Sequence, residues 1–201
     1  MANRSAVPVA VPEGFSPSPS PRVREASLRD VMKSFATGVT VLTAGGEHSH
    51  GMTANAINSV SLDPPLVLCC VARNAGMHRA ITVVKSFGLS ILAADQEDLA
   101  RYFADRRRPG GPAQFAGLDW WPGRHTSAPL LAGCLGWLEC ELGQVYDGGD
   151  HSIFLGKVRD ATRSAQPHGL LFFGGQFHQV CRTRGSVPDE SLGYESLGCC
   201  W

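Results

Sequence analysis

Hydrophobic and polar residues change rhythm several times along this chain, and each change marks an element. Leu28, Val31, Met32 and Phe35 recur at helical spacing behind Ser27, a plausible N-cap, so a short helix opens the folded part. From Val39 the period drops to two. Val39 and Val41 alternate with threonines up to a turn bracketed by Gly45-Gly46 and Gly51. Residues 66–71 form a short continuous apolar run, the pattern of a buried strand. A helix is predicted over 77–85, a strand over 87–93 and another short helix over 96–104. The stretch 105–128 is rich in Arg, Gly and Pro and reads as a long surface excursion, a loop length that usually serves function or mobility. Two long strands flank Asp147-Gly148-Gly149-Asp150, and shorter ones near 170–173 and 177–180 close the unit.

Many short strands with few helices predict a closed or partly closed antiparallel barrel. No G-x-G-x-x-G opens a helix after a strand and no G-x-x-x-x-G-K-[ST] occurs, so neither a Rossmann unit nor a P-loop is supported. Residues 1–23 read as a tail, because the run Phe15-Ser16-Pro17-Ser18-Pro19-Ser20-Pro21 favours extended backbone with little to bury. Residues 183–201 lack a clear period and read as a second tail, which leaves one folded unit over 24–182.

Composition narrows the classes of partner. Eighteen basic side chains balance eighteen acidic ones, so there is no field to recommend nucleic acid or an anionic membrane. No apolar run reaches the roughly 18 residues of a membrane span. The N-terminus shows no basic region followed by an apolar one, so a secretory signal is not expected and a cytoplasmic location is. The seven cysteines (Cys69, Cys70, Cys134, Cys140, Cys181, Cys199 and Cys200) are odd in number and contain no C-x-x-C, which argues against a zinc site and a disulfide framework. Several lie in apolar runs, where a thiol acts as a small hydrophobe. The Cys199-Cys200 pair has no evident role. His48 and His50 lack a third ligand nearby in sequence and read as surface residues, so no metal is expected.

The candidate chemistry sits in three places. In an extended strand Thr53, Asn55, Ile57, Ser59 and Ser61 share one short, mostly polar face, which suits either a flat polar ring or solvent. Arg73-Asn74-Ala75-Gly76 lies between a strand and a helix, where backbone N–H groups make either an anion site or an ordinary turn. Gly149-Asp150-His151 is locally a hairpin turn.

Thr53-Ala54-Asn55-Ala56-Ile57-Asn58-Ser59-Val60-Ser61-Leu62-Asp63-Pro64-Pro65, taken with Gly149-Asp150-His151, resembles the flavin reductase-like family, over roughly residues 25–180. The resemblance implies a mainly β fold, an antiparallel Greek-key split β-barrel of the FMN-binding type with a few short α-helices, assembled as a homodimer. It implies an NAD(P)H:flavin oxidoreductase that moves hydride from NADH to FAD or FMN. Reduced flavin then diffuses to a partner monooxygenase, as in aromatic hydroxylation or natural-product biosynthesis. Thr53, Asn55, Ala56, Ser59, Val60 and Ser61 are the implied flavin contacts. Arg73, Asn74 and Gly76 mark the implied phosphate corner. Family members often carry Ser or Thr there, so this chain keeps the backbone donors and loses the hydroxyls. Gly149, Asp150 and His151 fall on the nicotinamide side, with Gly149 allowing a positive φ, Asp150 orienting the imidazole and His151 the catalytic-site residue, a positioning group more than a base. Phe103 either flanks the flavin or nicotinamide or is a core aromatic. Arg106-Arg107-Arg108 either meets a cofactor phosphate or is a solvated run, and without another basic group for a 2′-phosphate NADH is expected over NADPH. Two other readings compete: an oxidoreductase that retains FMN and reduces a non-flavin acceptor, and a non-enzymatic flavin- or haem-binding split barrel.

Overall fold

Short apolar runs punctuated by glycine build small strands, and the computed structural model, which describes residues 25–181, has three helices among them. In chain order these are α1 (Glu25–Met32), β1 (Thr37–Gly38), β2 (Thr40–Ala44), β3 (His50–Ala54), β4 (Ile57–Leu62), β5 (Pro65–Ala72), α2 (Gly76–Val84), β6 (Ser86–Ile91) and α3 (Glu97–Ala104). There follow β7 (Trp120–Pro122), β8 (Pro129–Leu131), β9 (Gly136–Gly148), β10 (His151–Arg163), β11 (Gly169–Phe173) and β12 (Gln176–Val180). The segments 1–23 and 183–201, and with them Cys199 and Cys200, lie outside the described residues.

Seven antiparallel strands form the main sheet in the order β3-β2-β6-β9-β10-β5-β4. Its two edges, β3 and β4, are consecutive in the chain and joined only by Asn55 and Ala56. Three Cα steps span at most about 11 Å, so the sheet must curl until its edges meet at that link. The edges do not pair with each other, and the result is a split barrel with a seam at Asn55 and Ala56. A three-stranded sheet (β1-β11-β12) and the β7–β8 ribbon complete the unit.

Burial explains the closure. Leu42, Val67, Cys69, Val71, Phe87, Leu89, Cys140 and Phe154 fill the barrel, plugged at one end by Met77, Ala80 and Ile81 of α2. A second core (Val39, Val41, Leu92, Ala100, Phe103, Phe115, Leu131, Leu170) lies outside it under α3. Between these cores β2 is buried on both faces, so its threonines are buried as well. They are satisfied locally, Thr40 Oγ1 donating to the Ala54 carbonyl at 2.7 Å and Thr43 Oγ1 to that of Pro129 at 2.8 Å. Cys69, Cys134 and Cys140 are free and fully buried, and burial pushes the Cys134 and Cys140 thiols up to about 12.

Two expectations change. Helix α1 already includes Glu25, so Ser27 lies within it and does not cap it. The helix stops at Met32, short of Phe35, and the apolar stripe faces out, with Leu28, Val31, Met32 and Phe35 exposed by 53–68%. The stretch 105–128 is also more than a surface excursion, because Gln114, Phe115, Thr126 and Ala128 are buried. Its anchors are polar. The Gln114 side chain accepts from the Gly51 N–H at 2.7 Å and donates to the carbonyls of Gly111 and Ser49. The Glu139 carboxylate accepts from the backbone N–H groups of Arg124, His125 and Thr126 and from the Thr126 hydroxyl, all at 2.8–2.9 Å.

Candidate active site

Three stretches far apart in sequence come to one end of the barrel. The Ala56 carbonyl accepts the Cys70 N–H at 3.0 Å, which fixes the seam beside the last residues of β5. Across β5, Ala72 is the register partner of His151 at the start of β10. Helix α2 begins four residues after Ala72. Seam and Gly149-Asp150-His151 turn therefore flank the end of β5, about two strand spacings or roughly 10 Å apart across the sheet, and the helix N-terminus follows from the same strand end.

The seam differs in detail from one continuous polar face. Thr53 belongs to β3, and its hydroxyl donates to the Ala100 carbonyl at 2.6 Å, pinning the strand to α3. Asn55 and Ala56 are exposed at the crossing, with the Asn55 Nδ2 donating to the Thr37 hydroxyl at 3.1 Å. Beyond them β4 carries a bulge at Val60, where the register with β5 shifts between Ser59 and Ser61. Ser59 and Ser61 stay half-buried, and Val60 is 38% exposed. As a sheet edge, β4 offers a row of unpaired N–H and C=O groups alongside these small side chains. That donor and acceptor set fits the polar edge of an isoalloxazine ring, and the exposed apolar side chains on the strand are Val60 and Leu62.

At α2, the N-cap residue Ala75 makes no side-chain hydrogen bond to the first turn; the His78 N–H donates to the Ala75 carbonyl at 3.1 Å, and those of Gly76 and Met77 are left to point out of the helix. Asn74 and Gly76 are exposed beside it. A Cβ on Gly76 would come within 3.0 Å of the His50 ring, so glycine lets that imidazole lie against the helix start. His50 is thus half-buried and not a surface residue. Burial, then the nearby Arg108, holds its pKa below the ordinary histidine value. Such a corner of helix N–H groups with an adjacent imidazole fits a phosphate.

Arg73 turns the other way. Its Nε donates to the Gly149 carbonyl at 2.9 Å and its Nη2 pairs with Asp147 at 3.0 Å. In the turn itself Gly149 has φ of 75°, the left-handed region that favours glycine. Asp150 Oδ1 lies 2.7 Å from His151 Nδ1, so the carboxylate aims the half-exposed imidazole. The His151 bond, then its charge, holds the Asp150 carboxyl below its ordinary range.

Phe103 belongs to the second core. It is fully buried against Phe115 and Tyr102, and a side chain on Gly51 would run into it, which makes it a core aromatic. The three loop arginines part company. Arg107 pairs with Asp105, and Arg106 is exposed. Arg108 folds over the Phe103 ring and donates to the carbonyls of Gly51 and Asp105. His50, Arg108 and Gln114 are the members of this neighbourhood that periodicity does not reveal. The partners that bring them together are tens of residues away, and the only local trace is a lone glutamine in a stretch rich in Arg, Gly and Pro. Cavities of about 400 and about 200 Å³ lie elsewhere, lined by Ser86, Glu141 and Arg159 in one case and by Trp121 and Trp137 in the other.

Known proteins share both the fold and the sequence. Residues 32–180 match the model of the flavin reductase like domain. An NADH-dependent FAD reductase of Streptomyces globisporus is 48% identical over 186 residues, which is 92% of this chain and 97% of that one. The crystal structure of BorF, the flavin reductase component of a bacterial two-component tryptophan halogenase, superposes with a TM-score of 0.77 at 49% identity, covering 80% of this chain and 100% of that one. The Streptomyces globisporus C-1027 NADH:FAD oxidoreductase SgcE6, solved with NAD and FAD fragments, gives 0.73 at 47% identity over 81% and 94% of the two chains. With three quarters of its length inside that domain and relatives at this level of identity, the chain belongs to the flavin reductase like domain family.

Proposed function

We infer that this protein is an NADH-dependent flavin reductase that supplies reduced FAD or FMN to a separate monooxygenase. The observation that carries it is the gathering of the seam, the α2 N-terminus and the Gly149-Asp150-His151 turn at one end of the barrel, in a family whose members include NADH-dependent reductases. A flavin, when bound, supplies the hydride acceptor. The chain's own work is to hold two planar rings in register, which needs no general base.

In this reading Asn55, Ala56, Ser59, Val60 and Ser61 line the flavin ring through side chains and the open edge of β4. Thr53 contributes by holding β3, its hydroxyl being committed to α3. The N–H groups around Asn74 and Gly76 take the phosphate that FMN and FAD share. His151, aimed by Asp150, places the nicotinamide. Arg107 is engaged by Asp105 and Arg108 by the carbonyls of Asp105 and Gly51, which leaves little cationic surface for a 2′-phosphate and favours NADH. An active site built on an open strand edge also favours a homodimer, whose second copy would wall it, and the outward stripe of α1 offers the apolar surface for that contact.

Steady-state assays of NADH and NADPH against FMN, FAD and riboflavin test the assignment. NADH oxidation should saturate with added free FAD or FMN, and NADPH should serve poorly. Equal rates with both nicotinamides would remove the cofactor preference, and no oxidation with either would remove the reductase.

A further inference from the structure

The charge at Arg73 is the obvious partner for a flavin phosphate, yet its contacts run to the opposite side of the site. We infer that Arg73 is a positioning residue for the Gly149-Asp150-His151 turn, and not a phosphate ligand. The inference rests on the reductase reading for what the turn does, but not for what holds it.

Arg73 grips that turn at three points. Its backbone N–H donates to the Asp150 carbonyl at 3.0 Å, its Nε to the Gly149 carbonyl at 2.9 Å, and its Nη2 to Asp147 Oδ1 at 3.0 Å. The same Asp147 oxygen accepts the Gly149 N–H at 2.8 Å, so one carboxylate ties the turn to itself and to Arg73. That Gly149 contact, then Arg73, holds the Asp147 carboxyl below its ordinary range.

The ladder pairs His151 with Gly148 and with Ala72, and beyond that backbone pairing little besides Arg73 fixes the turn. Residues 147–150 are all exposed, and two of the four are glycines. No apolar packing therefore sets where His151 begins. The ion pair alone is weak, since the Arg73 and Asp147 side chains are 47% and 81% exposed. The constraint comes from the planar fork, which reaches a carbonyl and a carboxylate on the turn at once, a span an ammonium cannot reproduce. Asp147 also neutralises the guanidinium, so the α2 N–H groups are left as the principal attraction for an anion.

Four proteins separate the two roles: wild type, Arg73→Gln, Arg73→Lys and Asp147→Asn. Binding of FMN and of riboflavin, which lacks the phosphate, is read by flavin fluorescence without nicotinamide. NADH KM and kcat are measured in parallel, with amide hydrogen exchange across 147–151. For a positioning residue, Arg73→Gln and Arg73→Lys should both raise NADH KM, or lower kcat, by about fivefold, the loss of one hydrogen bond. Both should speed exchange at Gly149 and leave the FMN-to-riboflavin affinity ratio unchanged. Asp147→Asn should move the NADH parameters and the exchange in the same direction. The inference is overturned if Arg73→Gln weakens FMN alone and Arg73→Lys restores it, or if Asp147→Asn tightens FMN by freeing the guanidinium. It is equally overturned if the turn exchanges at the wild-type rate in both arginine variants. Should wild type neither bind flavin nor oxidise NADH, the reductase reading fails, while the exchange rates still report whether Arg73 holds the turn.

Discussion

Asn55 and His151 lie on either side of β5 and carry different proposed duties, which single substitutions can separate. Losing one neutral hydrogen bond costs on the order of 1 kcal/mol, several-fold in affinity. Asn55→Ala should therefore raise the flavin KM and leave the NADH KM nearly unchanged. His151→Ala should do the reverse, or lower kcat where ring alignment is lost without loss of binding. Both variants should stay folded, since neither removes a buried apolar group. A His151→Ala enzyme that weakens only flavin would overturn its nicotinamide role. At this scale the sequence was legible where chemistry is local. Gly149 takes the left-handed conformation and Asp150 contacts its neighbour His151, both as expected from adjacent residues. It was illegible where partners are remote. Nothing in the local sequence pattern distinguishes Arg108 from Arg106 and Arg107, whereas in the fold it reaches the Gly51 carbonyl, 57 residues back.

Elements were read well where periodicity decides. The predicted helix over 77–85 is α2 (Gly76–Val84), and the strand over 66–71 is β5 (Pro65–Ala72). The stretch 105–128 was misread because its order depends on buried polar anchors, which leave no period. Glu139 is the clearest of them. Burial pushes its carboxyl up, but the Thr126 hydroxyl and the N–H groups of His125, Thr126 and Arg124 outweigh this, and the net shift is below the ordinary glutamate range. A carboxylate with a depressed folded-state pKa contributes stability that is present above its unfolded value and lost as pH falls through the folded one. Glu139→Gln puts an amide donor where N–H groups already converge, and should cost about 1–3 kcal/mol in urea unfolding at neutral pH. The gap between variant and wild type should narrow in acid, below the ordinary glutamate range. A gap that stays constant from neutral pH into acid would mean the carboxylate charge is not what holds the loop.

For the whole molecule, strand content predicted a barrel but could not fix its order. The order follows from the short link at Asn55 and Ala56, which reads as a simple loop until the two strands it joins prove to be opposite edges of one sheet. The outward stripe of α1 is a surface a lone barrel leaves wet, and Thr37, just beyond it, is the residue that Asn55 holds. Sedimentation should accordingly give the mass of two chains at micromolar concentration, and Val31→Asp should lower it toward one chain with weaker flavin binding. Full activity from a wild-type monomer would contradict this arrangement.

For the flavin proposed to sit there, the seam also sets a timescale. Both hydrophobic cores lie behind it, and Asn55 and Ala56 are already at the surface, so neither core has to open for a ring to depart. Residence is then governed by the handful of hydrogen bonds that break on leaving, and each one lost shortens it several-fold. A barrel closed by pairing its edges would have to bury the ring or exclude it. Left unzipped at one corner, this one would, with the flavin where we propose it, load and release a courier once per turnover.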